Sequence, residues 1–254
     1  HNSSYKISTL AGMAIVMANM IGTGAFTSLG IQLKGLQDPL AVLTLWVFGG
    51  LLAISGAFSY AEVGTTIRKS GGEFTFLSEI YHPIIGYLSG WISLLVGFAA
   101  PIALAAIAFT EYFHPGGIHA KWLAILLLAG ITFIHTQSLL TSSRFQLVST
   151  LFKLIVIVII IVSGIALPTN TGGSVKMTSG YFAEIKSSAF AIALIYVSYS
   201  YSGWNAAAYI SEEFKHPRKS LPPALIWGTV IVTLLYTLLQ FVFLKHTPFS
   251  ELVG

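Results

Sequence analysis

The chain has 254 residues, of which 55% are hydrophobic and only 9% are charged, and its formal net charge is +4. Ordinary soluble domains carry about 25% charged residues, so this composition excludes a soluble globular protein, whose apolar surface would face water. The few basic residues are scattered over short polar stretches, which excludes a nucleic-acid-binding protein. The chain has no cysteine, and this excludes disulfides, thiolate nucleophiles and cysteine-ligated metals.

Long apolar segments separated by short polar ones predict the fold class, an all-α integral membrane protein. A membrane-spanning helix needs about 20 mainly apolar residues. The predicted spans cover residues 8–31, 39–66, 83–112, 121–140, 144–167, 185–211 and 221–244 of a single transmembrane domain. Seven Lys and Arg residues then lie on one side of the bilayer and five on the other, which predicts a cytoplasmic N-terminus by the positive-inside rule.

The first span contains two glycines, Gly22 and Gly24, on either side of Thr23. Each glycine weakens a helix by about 1 kcal/mol relative to alanine. Two interpretations remain open from the spacing: the glycines allow close packing of helices, or they interrupt this helix. An interruption would expose backbone N–H groups at the start of the second half-helix, where they bind a carboxylate.

The sixth span repeats this pattern, since several polar side chains and one glycine, Gly203, lie between Ser198 and Asn205. Such a run is costly in lipid unless it lines a cavity. A pair of Gly-interrupted spans, one in each half, is the best sequence indication of a transporter binding site. Spans one and six are equivalent if a five-helix unit repeats in inverted orientation, with spans six and seven starting the second unit.

Lys153 is the one charged residue well inside a predicted span, about nine residues from its start. A charge inside the membrane is rare and indicates function. The alternative is that its long stem carries the amine back to the membrane surface. We therefore expect Lys153 to act either in proton coupling or as a fixed positive charge, unless the amine reaches the surface.

The chain resembles the amino acid–polyamine–organocation transporter superfamily, and four stretches in the expected order carry the resemblance. They are Gly22-Thr23-Gly24, Ser59-Tyr60-Ala61-Glu62 with Ser70-Gly71-Gly72-Glu73-Phe74, Tyr199 to Asn205, and Ser211-Glu212-Glu213 with Lys215 to Pro222. The resemblance implies a leucine-transporter-type helical bundle with inverted repeats. Members have twelve spans, so it also implies that this chain is the N-terminal portion, incomplete in its second repeat.

The resemblance assigns roles to the residues of both interruptions. Thr23 and Gly24 would donate backbone N–H groups to the substrate carboxylate, and carbonyls near Ile21, Tyr199 and Ser200 would accept from its ammonium. Tyr199 takes the place of a gating aromatic, whereas the residue considered without the resemblance is better explained as a core aromatic with its hydroxyl satisfied. Lys153 takes the place of a coupling sodium ion. The predicted substrate-binding residues are Ile21, Gly22, Thr23, Gly24, Tyr199, Ser200, Ser202, Gly203 and Asn205, with Lys153 as the coupling residue.

The predicted function is sodium-independent secondary transport of amino acids by alternating access, either as proton symport or as exchange. Neutral substrates are favoured because no intramembrane carboxylate lies near the second interruption. Cationic amino acids, polyamines or a non-transporting fragment are the alternatives. Since the chain has no cysteine, the disulfide to a partner subunit found in some animal relatives cannot form. We therefore expect an unpartnered transporter of a bacterial inner membrane, with protons and the lipid bilayer as its other partners.

Other classes of membrane protein fit the sequence less well. An ion channel would show charged rings or carbonyl-filter repeats, and a membrane enzyme would show paired carboxylates or a metal set inside the bilayer. His114 and His119 flank Pro115-Gly116-Gly117, and two loop histidines without a cysteine make a poor metal site. We therefore expect no enzymatic activity, no metal and no cofactor.

Overall fold

The computed structural model describes residues 6–27, 29–67, 69–113, 120–137, 139–168, 173 and 175–252. These residues are almost entirely helical, and the β-type pairing among them is an isolated parallel bridge between Ile7 and Phe214. The predicted all-α fold class is therefore confirmed. The chain divides into two compact units, one formed by His1–Gly72 with Phe152–Gly254 and the other by Glu73–Leu151.

The helices follow one another closely along the chain. In order they are α1 (Thr9–Met20), α2 (Gly24–Thr27), α3 (Leu29–Leu33), α4 (Pro39–Thr66), α5 (Glu73–Ile80), α6 (Pro83–Ile92), α7 (Ala100–Phe113), α8 (Ala120–Gln137), α9 (Leu139–Ala166), α10 (Tyr181–Ile185), α11 (Ser188–Ser200), α12 (Pro217–His246) and α13 (Phe249–Leu252). A π-helical stretch, Ser93–Ala99, joins α6 to α7, and a 3₁₀ helix, Ala206–Glu213, follows α11.

Four helices among the described residues are long and apolar enough to cross a membrane. They are Pro39–Thr66, Pro83–Phe113, Phe145–Ala166 and Pro217–His246, and the shorter apolar helices are Thr9–Met20, Lys121–Gln137 and Ser188–Ser200. The sixth predicted span, 185–211, thus ends its α-helix at Ser200. Helix α12 begins four residues before the predicted start at residue 221, because Pro217 occupies the first turn, where a missing N–H costs little.

The core of the larger unit contains an aromatic cluster of Trp46, Tyr201 and Tyr236, each at most 1% exposed. The ring centroids lie 5.3 to 5.8 Å apart in tilted or edge-on arrangements, which aromatic pairs prefer. These residues belong to α4, to the turn after α11 and to α12. The cluster therefore joins α4 and α12 to the end of α11.

Two carboxylates attach the segment before α11 to the start of α4. Asp38 caps α4 by accepting from the Ala41 N–H at 2.9 Å, and it also accepts from the Thr178 N–H at 2.7 Å. Glu184 accepts from the N–H groups of Gln37 and Asp38, both at 3.0 Å. Backbone amides thus satisfy both carboxylates, which holds residues 178–184 against the chain that leads into α4.

Asp38→Asn is expected to lower the free energy of unfolding by about 1–2 kcal/mol at pH 7, because an amide has one acceptor oxygen where a carboxylate has two. Burial alone would raise the pKa of Asp38, but hydrogen bonds from Thr178, Ala41 and Leu40 outweigh it and hold the pKa below its usual value. The stabilisation is therefore complete above the pKa of an unfolded aspartate, about 3.9, and is lost as the pH falls through the lower folded value.

Thermal unfolding from pH 7 down to pH 3 measures this effect. The wild type should lose stability on acidification more steeply than Asp38→Asn, whereas Glu251→Gln, an exposed carboxylate near the end of the chain, should follow the wild type. Parallel curves for the wild type and Asp38→Asn over this range would contradict the assignment.

The start of α1 is attached to the segment that precedes α12. The Ile7 N–H donates to the Glu213 carbonyl at 2.8 Å, and the Lys215 N–H donates to the Ile7 carbonyl at 3.2 Å. The Ser70 N–H donates to the Glu212 carboxylate at 3.0 Å. The 3₁₀ helix is thus bonded at its end both to the N-terminal segment and to the loop after α4.

Candidate functional site

The first predicted span is interrupted at the place that the glycines indicate. Helix α1 ends at Met20, and Ile21 leaves the helical conformation with φ −76° and ψ 89°. The Gly22 N–H turns back to the Met20 carbonyl at 2.9 Å, and helical structure resumes at Gly24. The interruption over residues 21–23 is therefore confirmed.

The two glycines of this interruption have different roles. A side-chain carbon on Gly22 would have no atom within 4 Å, and the residue is exposed. A side-chain carbon on Gly24 would lie 2.9 Å from Oγ and 3.0 Å from Cα of Ser200. Gly24 therefore allows the close packing of helices that one interpretation of the sequence predicted. Gly22 leaves open space beside the interruption that the other interpretation predicted.

The second interruption follows α11, which ends at Ser200. The Tyr201 N–H donates to the Val197 carbonyl at 3.1 Å, residues 201–205 form turns, and the 3₁₀ helix then begins at Ala206. Gly203 has φ +98°, and a side-chain carbon there would lie 2.9 Å from the backbone C and O of Asn19. Gly24 with Ser200 and Gly203 with Asn19 are therefore two close contacts that place the interruptions side by side.

Gly203→Ala is expected to lower the free energy of unfolding by about 2 kcal/mol or more, because an alanine is strained at this φ. The obstructing Asn19 atoms are backbone and cannot rotate away. Thermal unfolding measures the change. In the matched control Gly130→Ala, on α8, the new methyl meets no atom within 4 Å, so that variant should be neutral or stabilised by up to about 1 kcal/mol. Equal stability of the two variants would contradict the close approach.

The other predicted substrate residues differ in burial. Thr23 and Ser202 are exposed, Asn205 is half-buried, and Ser200 is buried with its hydroxyl on the Tyr196 carbonyl at 3.1 Å. Tyr199 is 47% exposed, so the interpretation of this residue as a core aromatic is wrong.

The buried aromatic at this point is the second residue after Tyr199. Tyr201 is 1% exposed, and its hydroxyl donates to the Trp46 carbonyl at 2.9 Å.

The Lys153 amine reaches the first interruption. It donates to the Ile21 carbonyl at 2.8 Å and to the Ala18 carbonyl at 3.1 Å. The alternative in which the amine returns to the membrane surface is therefore wrong. These carbonyls lie at the C-terminal end of α1, where the helix dipole favours a positive charge. The Ile21 carbonyl keeps a second lone pair for another donor.

Comparison with known proteins identifies the family of the chain. Residues 7–254 match the family described as amino acid permease. The chain belongs to the amino acid permease family.

Its similarity to curated members extends over nearly the whole chain. It is 33% identical over 258 residues to the b(0,+)-type amino acid transporter 1 of Mus musculus, covering 98% of this chain and 53% of that protein. It is 33% identical to the human cystine/glutamate transporter, with 98% and 51% covered, and 28% identical to the mouse Asc-type amino acid transporter 1, with 98% and 49% covered. The chain therefore spans about half the length of the curated relatives it matches.

Two further residues of this amino acid permease family member contact the first interruption, and sequence reasoning missed both. The Tyr236 hydroxyl donates to the Met20 carbonyl at 2.6 Å, and the Gln240 side-chain amide donates to the Ala25 carbonyl at 2.8 Å. Both side chains are fully buried on α12. An uncharged polar residue inside an apolar span is the signal that could have identified Gln240.

No group of three or more His, Asp or Glu side chains in the part of the permease that the structure describes is arranged to hold a metal ion. His114 and His119 lie outside the described residues. The arrangement of the candidate site is instead one of backbone groups at two interruptions, with a lysine amine beside one of them.

Proposed function

We propose that this chain belongs to a sodium-independent secondary transporter that moves neutral amino acids by alternating access. The observation that carries the proposal is the side-by-side position of the two interruptions, through the contacts of Gly24 with Ser200 and of Gly203 with Asn19. Interrupted helices place backbone donors and acceptors at the same point of a membrane protein, which suits a ligand carrying both charges. The relatives are named as amino acid transporters, which supports an amino acid as this ligand.

The substrate carboxylate is proposed to lie at the start of α2. Gly22 and Thr23 are exposed there, and space is open next to Gly22. The amides at the start of a helix favour an anion. The substrate ammonium is proposed to contact carbonyls at the end of α11, near Tyr199 and Ser200, because the negative end of a helix dipole favours a cation and a carbonyl that already accepts one hydrogen bond can accept a second.

The position of Lys153 supports sodium independence. Its amine already supplies a positive charge to the carbonyls of Ala18 and Ile21. When a lysine amine donates to these carbonyls, its positive charge takes the place that a bound metal cation would otherwise have. We therefore propose Lys153 as a fixed positive charge that holds the end of α1, with proton coupling through its amine as the alternative.

Neutral substrates and membrane placement complete the proposal. Residues 15–30 and 195–205 contain no Asp or Glu to pair with a cationic substrate side chain. We further propose seven spans, with the first five forming one repeat, in a bacterial inner membrane with the N-terminus in the cytoplasm. The absence of cysteine supports a transporter with no disulfide-linked partner subunit.

Uptake of labelled neutral amino acids by the complete protein in liposomes tests this function. The assay is run with and without an inward proton gradient, with and without internal amino acid, and with sodium replaced by potassium. Accumulation driven by the gradient would identify proton symport, and uptake that requires internal substrate would identify exchange. A requirement for sodium would contradict the proposed role of Lys153.

Failure to take up any neutral amino acid would contradict the substrate proposal. Cationic amino acids and polyamines are then tested in the same liposomes, because they are the alternative substrates of the same backbone groups. Absence of uptake for all of these compounds would contradict the transporter function itself.

A further inference from the structure

Gln240 is a fully buried amide in the apolar helix α12. A buried side-chain amide lowers stability unless hydrogen bonds satisfy it. Here the nitrogen donates to the Ala25 carbonyl at 2.8 Å, whereas the oxygen Oε1 has no hydrogen-bond partner among the described residues. Only the amide nitrogen of the side chain is therefore satisfied, and its hydrogen bond is to α2.

The contact with Ala25 fixes the orientation of the amide. A carbonyl accepts hydrogen bonds and cannot donate them, so the amide nitrogen must face Ala25 and the oxygen must face away. Exchanging the two atoms would bring two oxygens together. The oxygen thus lacks a partner because the amide nitrogen is oriented to donate to the Ala25 carbonyl.

Ala25 lies one residue after Gly24 and is itself fully buried. One turn earlier on α12, Tyr236 holds the Met20 carbonyl on the other side of the interruption. Four residues of a helix rise about 6 Å, so α12 offers two donors at a fixed separation. Between these two points the chain of the first interruption has no continuous helix of its own.

We propose that Gln240 is a positioning residue, which holds α2 at a fixed distance from the end of α1 and so places the backbone of Thr23 and Gly24 for the substrate. It acts through Ala25 and does not contact the substrate. The expected effect of Gln240 on substrate affinity rests on the proposed function. Its effect on the position of α2 can be measured without any substrate.

Two substitutions and one control test the proposal in the complete protein. Gln240→Met keeps the length of the side chain but removes the donor together with the unpartnered oxygen, so we expect little change in thermal stability. Gln240→Glu can donate to Ala25 only while its carboxyl group is protonated. Thr229→Val is the matched control, because Thr229 is equally buried on α12 and its hydroxyl donates to Leu225 within the same helix.

The first measurement is the apparent Kd for a neutral amino acid as a function of pH. Gln240→Met should weaken binding about tenfold at every pH, and Thr229→Val should bind as the wild type does. Gln240→Glu should bind as weakly as Gln240→Met at high pH and recover as the pH falls, a pH dependence beyond that of the wild type. Wild-type affinity in Gln240→Met, or equal weakening of Gln240→Glu at every pH, would overturn the proposal.

The second measurement is hydrogen exchange of the amides of residues 24–33 without substrate. Gln240→Met should exchange these amides at least several-fold faster than the wild type and Thr229→Val, because α2 has lost its contact with α12. Unchanged exchange would overturn the positioning role. Faster exchange in a protein whose wild type binds no amino acid would support the positioning role while contradicting the proposed function.

Discussion

Replacing Lys153 with methionine is expected to reduce amino acid uptake by about 100-fold or more. Methionine retains most of the length of the lysine stem but donates no hydrogen bond. Two charge-assisted bonds are lost, to Ala18 and Ile21, and each is worth about 1.5–3 kcal/mol. A loss of about 3 kcal/mol corresponds to about a hundredfold change in an equilibrium. The carbonyls at the end of α1 would then lack their donor.

Lys153→Arg separates the two roles considered for the amine. Arginine keeps a positive charge but is not deprotonated in proteins. If Lys153 is a fixed charge, this variant should retain measurable uptake with the pH dependence of the wild type. If Lys153 exchanges protons, gradient-driven accumulation should disappear in Lys153→Arg as it does in Lys153→Met. Unchanged uptake by Lys153→Met, at every pH, would contradict both roles.

The control for these variants is a lysine with the same kind of contact outside the interruptions. Lys245 donates to the carbonyls of Gly164, Ile165 and Leu167 at the end of α9, at 3.0 to 3.2 Å. Lys245→Met should lower thermal stability but change the Kd for substrate less than threefold. A Kd effect as large as that of Lys153→Met would show that the loss reflects folding and not the position of Lys153.

Gly22→Ala is expected to weaken amino acid binding by about 10- to 100-fold while leaving the fold intact. Gly22 has no positive φ, and the new methyl group meets no atom of the chain within 4 Å. The space that it fills is where the substrate carboxylate is proposed to lie. Overpacking of such a space costs about 1–3 kcal/mol, which converts to this range of affinity.

The contrast with other glycines makes this experiment specific. Gly130→Ala also places a methyl group in open space, but on α8, and should bind substrate normally. Thermal unfolding of both variants should match the wild type within about 0.5–1 kcal/mol. Normal binding by Gly22→Ala would contradict the placement of the substrate beside this residue.

The interruptions could be predicted from the sequence because their cause is local. Gly22, Gly24 and Gly203 lie in runs where helix formation is weak, and the structure departs from the α-helix at each of these runs. Lys153 could be identified because a charge inside an apolar span needs a partner. The substrate contacts assigned to these residues remain predictions.

The partners of the interruptions could not be predicted, because they depend on pairings distant in sequence. Lys153 and Ile21 are 132 residues apart in the chain, and Tyr236 and Met20 are 216 apart. Periodicity does not determine which faces of two apolar helices meet, since nearly every position of both is apolar. For the same reason the sequence does not distinguish the exposed Tyr199 from the buried Tyr201.

The bridge between Ile7 and the segment from Glu213 to Lys215 has a consequence for sequence variation. Both of its hydrogen bonds join backbone atoms, so they do not depend on which side chains the residues carry. A proline at position 7 or 215 would remove a donor, but other replacements leave both bonds available. The two backbone bonds therefore keep the N-terminal segment attached to the chain that enters α12 whatever side chains the bonded residues carry, whereas Phe214 between them is fully buried and depends on its packing.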